Sequence, residues 1–97
     1  MTNQEINERV AKLCGWERRK HCKGYYRNDH EGYIFEPPNY AKSLDACREF
    51  EEAMNAREKV VYADLLVDLC GDDSYDPIFA PSAVRCEAFL RLKGQWE

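Results

Sequence analysis

The sequence predicts a small α+β domain in which an aromatic β-hairpin packs against three to four helices. Residues 80–96 carry apolar side chains around most of a helical circumference, which is typical of a buried central helix. Two aromatic, β-prone runs lie within residues 23–36 and are separated by turn residues. Helical periodicity fills most of the remaining chain, so we expect one domain over residues 1–97.

The first predicted helix covers residues 3–14. Thr2 and Glu5 have the spacing of a capping box, in which a hydroxyl and a carboxylate satisfy free amides at the helix start. Gly15 ends the helix, and Trp16 is placed to fold back on its last turn.

The hairpin is predicted from residues 23–27 and 32–36, joined by turn residues 28–31. Two prolines end the second strand, because proline donates no ladder hydrogen bond. Residues 39–42 are predicted to be an extended connection.

Two helices are predicted in the middle of the chain. Ser43 is a favourable N-cap for a helix that ends near Asn55. Residues 58–70 allow a strand or a helix, because valines are β-prone while the leucines recur at helical spacing; we favour the helix. Its predicted apolar face consists of Val61, Tyr62, Leu65, Leu66 and Leu69.

The last helix has signals at both ends. Pro81 suits a first helical position, and Gly94 suits a left-handed C-terminal cap. We expect Phe89 to be buried against the first helix and the hairpin, and Arg85 to lie on the charged, exposed side. Residues 78–79 are a candidate short third strand.

Composition limits the classes of protein. The chain is 44% hydrophobic and 33% charged, and no apolar run is long enough for a membrane span. The start lacks the layout of a signal peptide, so we expect a cytosolic protein. Five cysteines cannot all pair, and most fall on helix-like segments; we expect every thiol to be reduced.

Charge is distributed unevenly along the chain. Residues 16–30 are basic, whereas residues 43–76 are strongly acidic. The basic segment also carries tyrosines, and cations beside aromatic faces can hold phosphates and stack bases. The predicted ligand-binding residues are Arg18, Arg19, Lys20, Lys23, Tyr25, Tyr26 and Arg27. The alternative is a solvated edge strand, in which exposed cations discourage aggregation.

A small nucleotide-like anion or a protein is favoured as the partner over extended nucleic acid, because the basic patch is short and the net charge is −4. The predicted acidic surface could instead imitate nucleic acid, with an ordinary solvent face as the alternative. Its residues are Arg48, Glu49, Glu51, Glu52, Asp64 and Asp68.

Other chemistries are disfavoured. His21 and Cys22 lack the paired spacing of a zinc site, and nothing supplies a third group to orient His21 for a Cys22 nucleophile. Residues 72–76 begin like a calcium loop, but Pro77 stands where the turn glycine belongs. We therefore expect no metal, no cofactor and no enzymatic activity.

Several features together carry a resemblance to a known family. They are the Gly15-Trp16 helix end, the aromatic hairpin, Pro38-Asn39-Tyr40 before Ser43-Leu44-Asp45-Ala46, and Arg85-Cys86-Glu87-Ala88-Phe89-Leu90-Arg91 closing with Gly94-Gln95-Trp96-Glu97. In this order and spacing the chain resembles the phage ABA sandwich domain family, small proteins of tailed phages and prophages. Ala80-Pro81 departs from the family pattern, which changes a helix cap and no site.

The resemblance implies a compact α+β domain, without assigned catalytic residues, expressed in the cytoplasm of a host bacterium. By analogy with small phage proteins, it suggests counter-defence. Three hypotheses follow: sequestration of a small anionic, nucleotide-like signal, inhibition of a host defence or nucleic-acid-handling protein through the acidic surface, or a structural or assembly role in the virion. The homo-oligomeric state is left open.

Overall fold

A computed structural model describes residues 1–18, 24–27, 33–70 and 80–96. Four helices and three short strands lie in this part of the chain, which confirms a small α+β domain. In chain order the elements are α1 (Asn3–Leu13), β1 (Glu17–Arg18), β2 (Tyr25–Tyr26), β3 (Tyr33–Ile34), α2 (Leu44–Ala53), α3 (Ala56–Cys70) and α4 (Ser82–Leu92).

Helix α4 is the central element of the core, as its wide apolar stripe predicts. It packs against α1, α2 and α3. Its buried residues are Cys86, Ala88, Phe89 and Leu90. Phe89 stacks on Phe50 of α2, with ring centroids 4.3 Å apart and planes 15° apart. The sequence predicted burial of Phe89 correctly but missed α2 as its neighbour.

Two glycines end helices as predicted. Gly15 and Gly94 have φ values of +95° and +72°, which are unfavourable for residues with a Cβ atom. After α1 the Trp16 amide donates to the Ala11 carbonyl at 3.0 Å, and after α4 the Gln95 amide donates to the Leu90 carbonyl at 2.7 Å. These bonds turn the chain back over the last helical turn.

The N-terminal caps follow the sequence at α1 and α2. The Thr2 hydroxyl accepts from the Glu5 amide, and the Ser43 hydroxyl accepts from the Ala46 amide, both at 3.2 Å. Asn55 and Glu58 form a reciprocal capping box for α3, which the sequence reading missed. Pro81 is the N-cap of α4, not its first helical residue, because its ψ of 155° is extended.

The strands form an antiparallel sheet in the order β1-β2-β3. Tyr25 pairs with Ile34 and Tyr26 with Tyr33, which confirms the hairpin. The third strand is β1, which pairs with β2 at the other edge. The predicted strand at 78–79 and turn at 28–31 lie outside the described residues.

The connection after the sheet differs from the prediction. Residues 40–42 form a hydrogen-bonded turn instead of an extended segment, because the amides of Tyr40 and Lys42 donate to Pro38 and Asn39. The turn buries Tyr40 completely. The Asn7 side chain of α1 accepts from the Ala41 amide at 2.9 Å, which ties this turn to the first helix.

Helix α3 confirms the helical interpretation of residues 58–70. Tyr62 and Leu66 are buried, and Leu65 and Leu69 pack beside them. Val61, predicted on the same face, is exposed. Helix α4, together with Phe50 of α2, covers only a narrow stripe of α3, so the position next to Tyr62 is rotated out to solvent.

Three described thiols are free, those of Cys14, Cys47 and Cys86. The Sγ atoms of Cys47 and Cys86 lie 3.9 Å apart in the core, where the two thiols share a hydrogen bond and form no disulfide. Cys22 and the side chain of Cys70 lie outside the description. In the part of the chain that the structure describes, no helix has the length and apolar character needed to cross a membrane.

Candidate functional site

The structure places four of the predicted ligand-binding residues. Arg18 is exposed on β1, and its register partner Tyr25 is partly buried on β2 beside Tyr26. Arg27 follows directly after β2. Arg19, Lys20 and Lys23 lie outside the described residues, as do His21, Cys22 and the loop at 72–76.

Arg27 does not project into solvent as expected for a basic hairpin. Its guanidinium lies over the Trp16 ring, 4.5 Å from the centroid, and forms an ion pair with Glu49 of α2. Glu49 also accepts a hydrogen bond from the Tyr40 hydroxyl at 3.1 Å. The Arg27 side chain therefore has a structural role, because it joins the hairpin to helix α2.

Because Arg27 is directed inward, we expect its replacement to affect stability more than the replacement of an exposed arginine would. Arg27→Ala should lower the free energy of unfolding by about 1–2 kcal/mol, because a partly desolvated cation–π contact and an ion pair are lost together. Arg18→Ala, on the adjacent exposed strand, should change it by less than about 0.5 kcal/mol. Denaturant unfolding of both variants checks this, and equal effects would contradict the inward position of Arg27.

Arg27 also lines a cleft of about 380 Å³ between the hairpin and the helices. We call it the ligand cleft. Its lining residues are Leu13, Cys14, Arg27, Glu49, Phe50, Ala53, Met54, Glu58, Phe89 and Lys93. The lining thus brings together the C-terminal ends of α1 and α4, the first turn of α3 and one face of α2. Phe50 and Phe89 are the aromatic residues of the lining, and both rings are almost fully buried.

Two ion pairs supply the charge of the ligand cleft. One is Arg27–Glu49, described above. In the other, Lys93 Nζ donates to Glu58 Oε2 at 2.5 Å. This hydrogen bond, followed by one from the Asn55 backbone, lowers the pKa of the Glu58 carboxyl, so Glu58 stays ionised near neutral pH. The formal charges of the lining cancel.

The remaining titratable group of the lining is neutral at physiological pH. Burial raises the pKa of the Cys14 thiol. Burial likewise raises the pKa of the nearby Tyr40 hydroxyl. Charged recognition in the ligand cleft therefore depends on the four residues of the two ion pairs.

The predicted acidic surface is only partly a surface. Glu49 is directed to Arg27, and Glu51 accepts from the Tyr62 hydroxyl at 2.7 Å and from Arg85 at 2.6 Å. Partly buried arginines and buried tyrosines on neighbouring elements pair with these two carboxylates and turn them inward. Arg48, Glu52, Asp64 and Asp68 remain exposed, which leaves a smaller acidic face than the sequence indicated.

Sequence reasoning missed Lys93, Phe50 and Phe89 as residues of one cleft. Lys93 has a local role near the end of α4, and the two phenylalanines read as core residues. Nothing in their spacing indicates that they meet Arg27. Among the described residues, no group of three or more His, Cys, Asp or Glu side chains is arranged to hold a metal ion.

No protein-family model matches the chain, and no curated protein or solved structure matches it either. The resemblance to the phage ABA sandwich family therefore stays a prediction based on the residues quoted above.

Proposed function

We propose that the protein is a non-enzymatic binding protein that holds a small anionic, nucleotide-like molecule in the ligand cleft. The observation that carries the proposal is the convergence of Arg27 and Lys93 with Phe50 and Phe89 in one concave site. A molecule with a flat apolar ring and an anionic group matches that combination of aromatic and cationic side chains.

The dimensions of the cleft support a small ligand. Its volume of about 380 Å³ lies within the range of about 300–1,000 Å³ that small-molecule pockets occupy. Leu13 and Ala53 are the exposed apolar residues of the lining, and Phe50, Phe89 and Met54 add only the small accessible part of nearly buried side chains. The latter three belong to the hydrophobic core. Their side chains are held by the core, so the apolar part of the cleft is formed before a ligand enters.

Lys93 is the cation available to a ligand. Its side chain is 36% exposed, and it forms a partly exposed ion pair with Glu58. Exposed ion pairs contribute little to stability, so an anionic group can take the place of Glu58 at low cost. Arg27 is more enclosed and is held by both Trp16 and Glu49, which fixes its guanidinium in one wall of the cleft.

The test is a calorimetric titration of the purified protein with a panel of purine and pyrimidine mono-, di- and cyclic nucleotides. We expect saturable binding of at least one member. Lys93→Ala should weaken it by about tenfold or more, because a hydrogen bond between charged groups is lost. Lys42→Ala removes the same charge at an exposed position outside the ligand cleft and should leave affinity unchanged.

A second variant sharpens the experiment. Glu58→Gln frees Lys93 from its counter-ion and should strengthen the binding of an anion. Binding that is insensitive to Lys93→Ala would place the ligand elsewhere. An absence of binding by every nucleotide in the panel would overturn the nucleotide-like assignment.

The wider role that we propose follows from the resemblance to phage proteins. A protein of this size, made in the host cytoplasm during infection, would act by sequestering a nucleotide-like defence signal instead of degrading it. Recovery of such a molecule, intact, from protein purified from infected cells would support this role. Turnover of the molecule by the protein would contradict it.

A further inference from the structure

A second concave surface lies beside the C-terminal cap of α4, where the chain leaves the helix. It is a groove of about 590 Å³ lined by Arg9, Arg91, Gly94, Gln95 and Trp96. We call it the arginine groove. None of its lining residues belongs to the ligand cleft.

The arginine groove has an unbalanced charge. Two guanidinium groups line it, and no described carboxylate does. Arg9 donates from Nη1 to the Gln95 carbonyl at 2.7 Å and forms no ion pair with a described carboxylate. That single bond positions the guanidinium at the groove and leaves its other N–H groups available for an acceptor.

Arg91 and Trp96 form the other wall. Arg91 is held by Glu87 through Nε at 2.7 Å, and its guanidinium lies 5.7 Å from the centroid of the Trp96 ring. Trp96 is partly buried and packs against the hydrophobic core. The indole is therefore fixed in place, and its exposed part stands beside two arginines.

We propose that the arginine groove docks an acidic segment of a partner protein, with aspartate or glutamate carboxylates on Arg9 and Arg91. Guanidinium groups match carboxylates in planar, two-point geometry. Arginine and tryptophan are also the residue types enriched in the energetic centres of protein interfaces. This inference is independent of the proposed ligand cleft.

Other partners fit the arginine groove less well. Extended nucleic acid needs a row of basic residues along its backbone, whereas two arginines stand here on a protein of net charge −4. Small-molecule pockets are lined mainly by apolar groups that enclose the ligand. Trp96 is the one apolar side chain of this lining.

The experiment is a nuclear magnetic resonance titration of the protein with a short synthetic peptide of alternating glutamate and serine at low ionic strength. The Trp96 indole N–H signal should shift saturably. The Trp16 indole, buried below Arg27, serves as an internal reference and should not move. The same peptide with glutamine in place of glutamate should produce no shift.

Variants decide whether the arginine groove is responsible. Arg9→Ala should weaken peptide binding by about fivefold or more, the effect of an interface residue worth about 1 kcal/mol. Arg9→Lys keeps the charge but loses the planar fork, so it should bind less tightly than the parent. Arg57→Ala, at an exposed position on α3, is the matched control and should bind normally.

Three results would overturn the proposal. They are an unmoved Trp96 signal, equal loss of binding in Arg9→Ala and Arg57→Ala, and tighter binding of a single-stranded oligonucleotide than of the acidic peptide. The last result would assign the arginine groove to nucleic acid.

Discussion

Phe89→Ala should destabilise the protein by about 3–5 kcal/mol, the usual cost of truncating a buried phenylalanine. Phe89 is 4% exposed and stacks on Phe50, which itself lies in edge contact with Tyr62 of α3. Removing the ring would leave a cavity where α2 and α4 meet. Because a domain of this size has only about 5–15 kcal/mol of stability, the variant should melt far below the parent or fail to accumulate.

Phe35→Ala provides the matched control. It removes the same side chain from a site that is 71% exposed after β3, and it should cost about 1 kcal/mol or less. Thermal and denaturant unfolding of both variants gives the comparison. Similar costs for the two changes would mean that the ring of Phe89 is not at the centre of the core.

Arg85→Ala should cost about 2–3 kcal/mol, which is more than an exposed arginine on a charged helix face would cost. The side chain is 12% exposed. Its Nη1 donates to Glu51 at 2.6 Å and its Nε to the Ala80 carbonyl at 2.8 Å. Burial opposes the charge, but Glu51 more than compensates and raises the pKa of Arg85.

The size of the effect comes from what the change leaves behind. Glu51 also accepts from the Tyr62 hydroxyl, so Arg85→Ala leaves a partly buried carboxylate beside a hydroxyl whose pKa burial has already raised. In a double-mutant cycle, Glu51→Gln should lower the free energy of unfolding much less in the Arg85→Ala background than in the parent protein. Arg57→Ala should stay within about 0.5 kcal/mol. Additive costs at Arg85 and Glu51 would contradict the network.

Arg85 shows where reasoning from periodicity fails. Its position in the chain lies beside the apolar stripe of α4, so the sequence predicted an exposed, mildly tolerant site. The structure turns it toward Glu51 of α2, which is 34 positions earlier in the chain. No local pattern encodes that pairing, because either residue alone reads as part of a solvated helix face.

The candidate site, too, was only partly predictable from the sequence. The sequence predicted a ligand-binding role for Arg27 from its basic and aromatic neighbours. It gave no sign that Arg27 shares a cleft with Lys93, or that Phe50 and Phe89 complete the lining. The remaining basic residues of that prediction, Arg19, Lys20 and Lys23, lie outside the described part of the chain.

The sequence by itself determined the helical segments, the N-terminal caps of α1 and α2, the glycines that end α1 and α4, the hairpin and the central place of α4. These features depend on interactions within a few residues: the φ of Gly15 and Gly94, the hydroxyls of Thr2 and Ser43, and apolar spacing. Only the tertiary structure decided which charged residues turn inward. Folding partly desolvates the guanidinium groups of Arg27 and Arg85, which costs free energy. An ion pair with a carboxylate of α2 offsets that cost in each case, and the pair forms only when segments distant in the sequence come together.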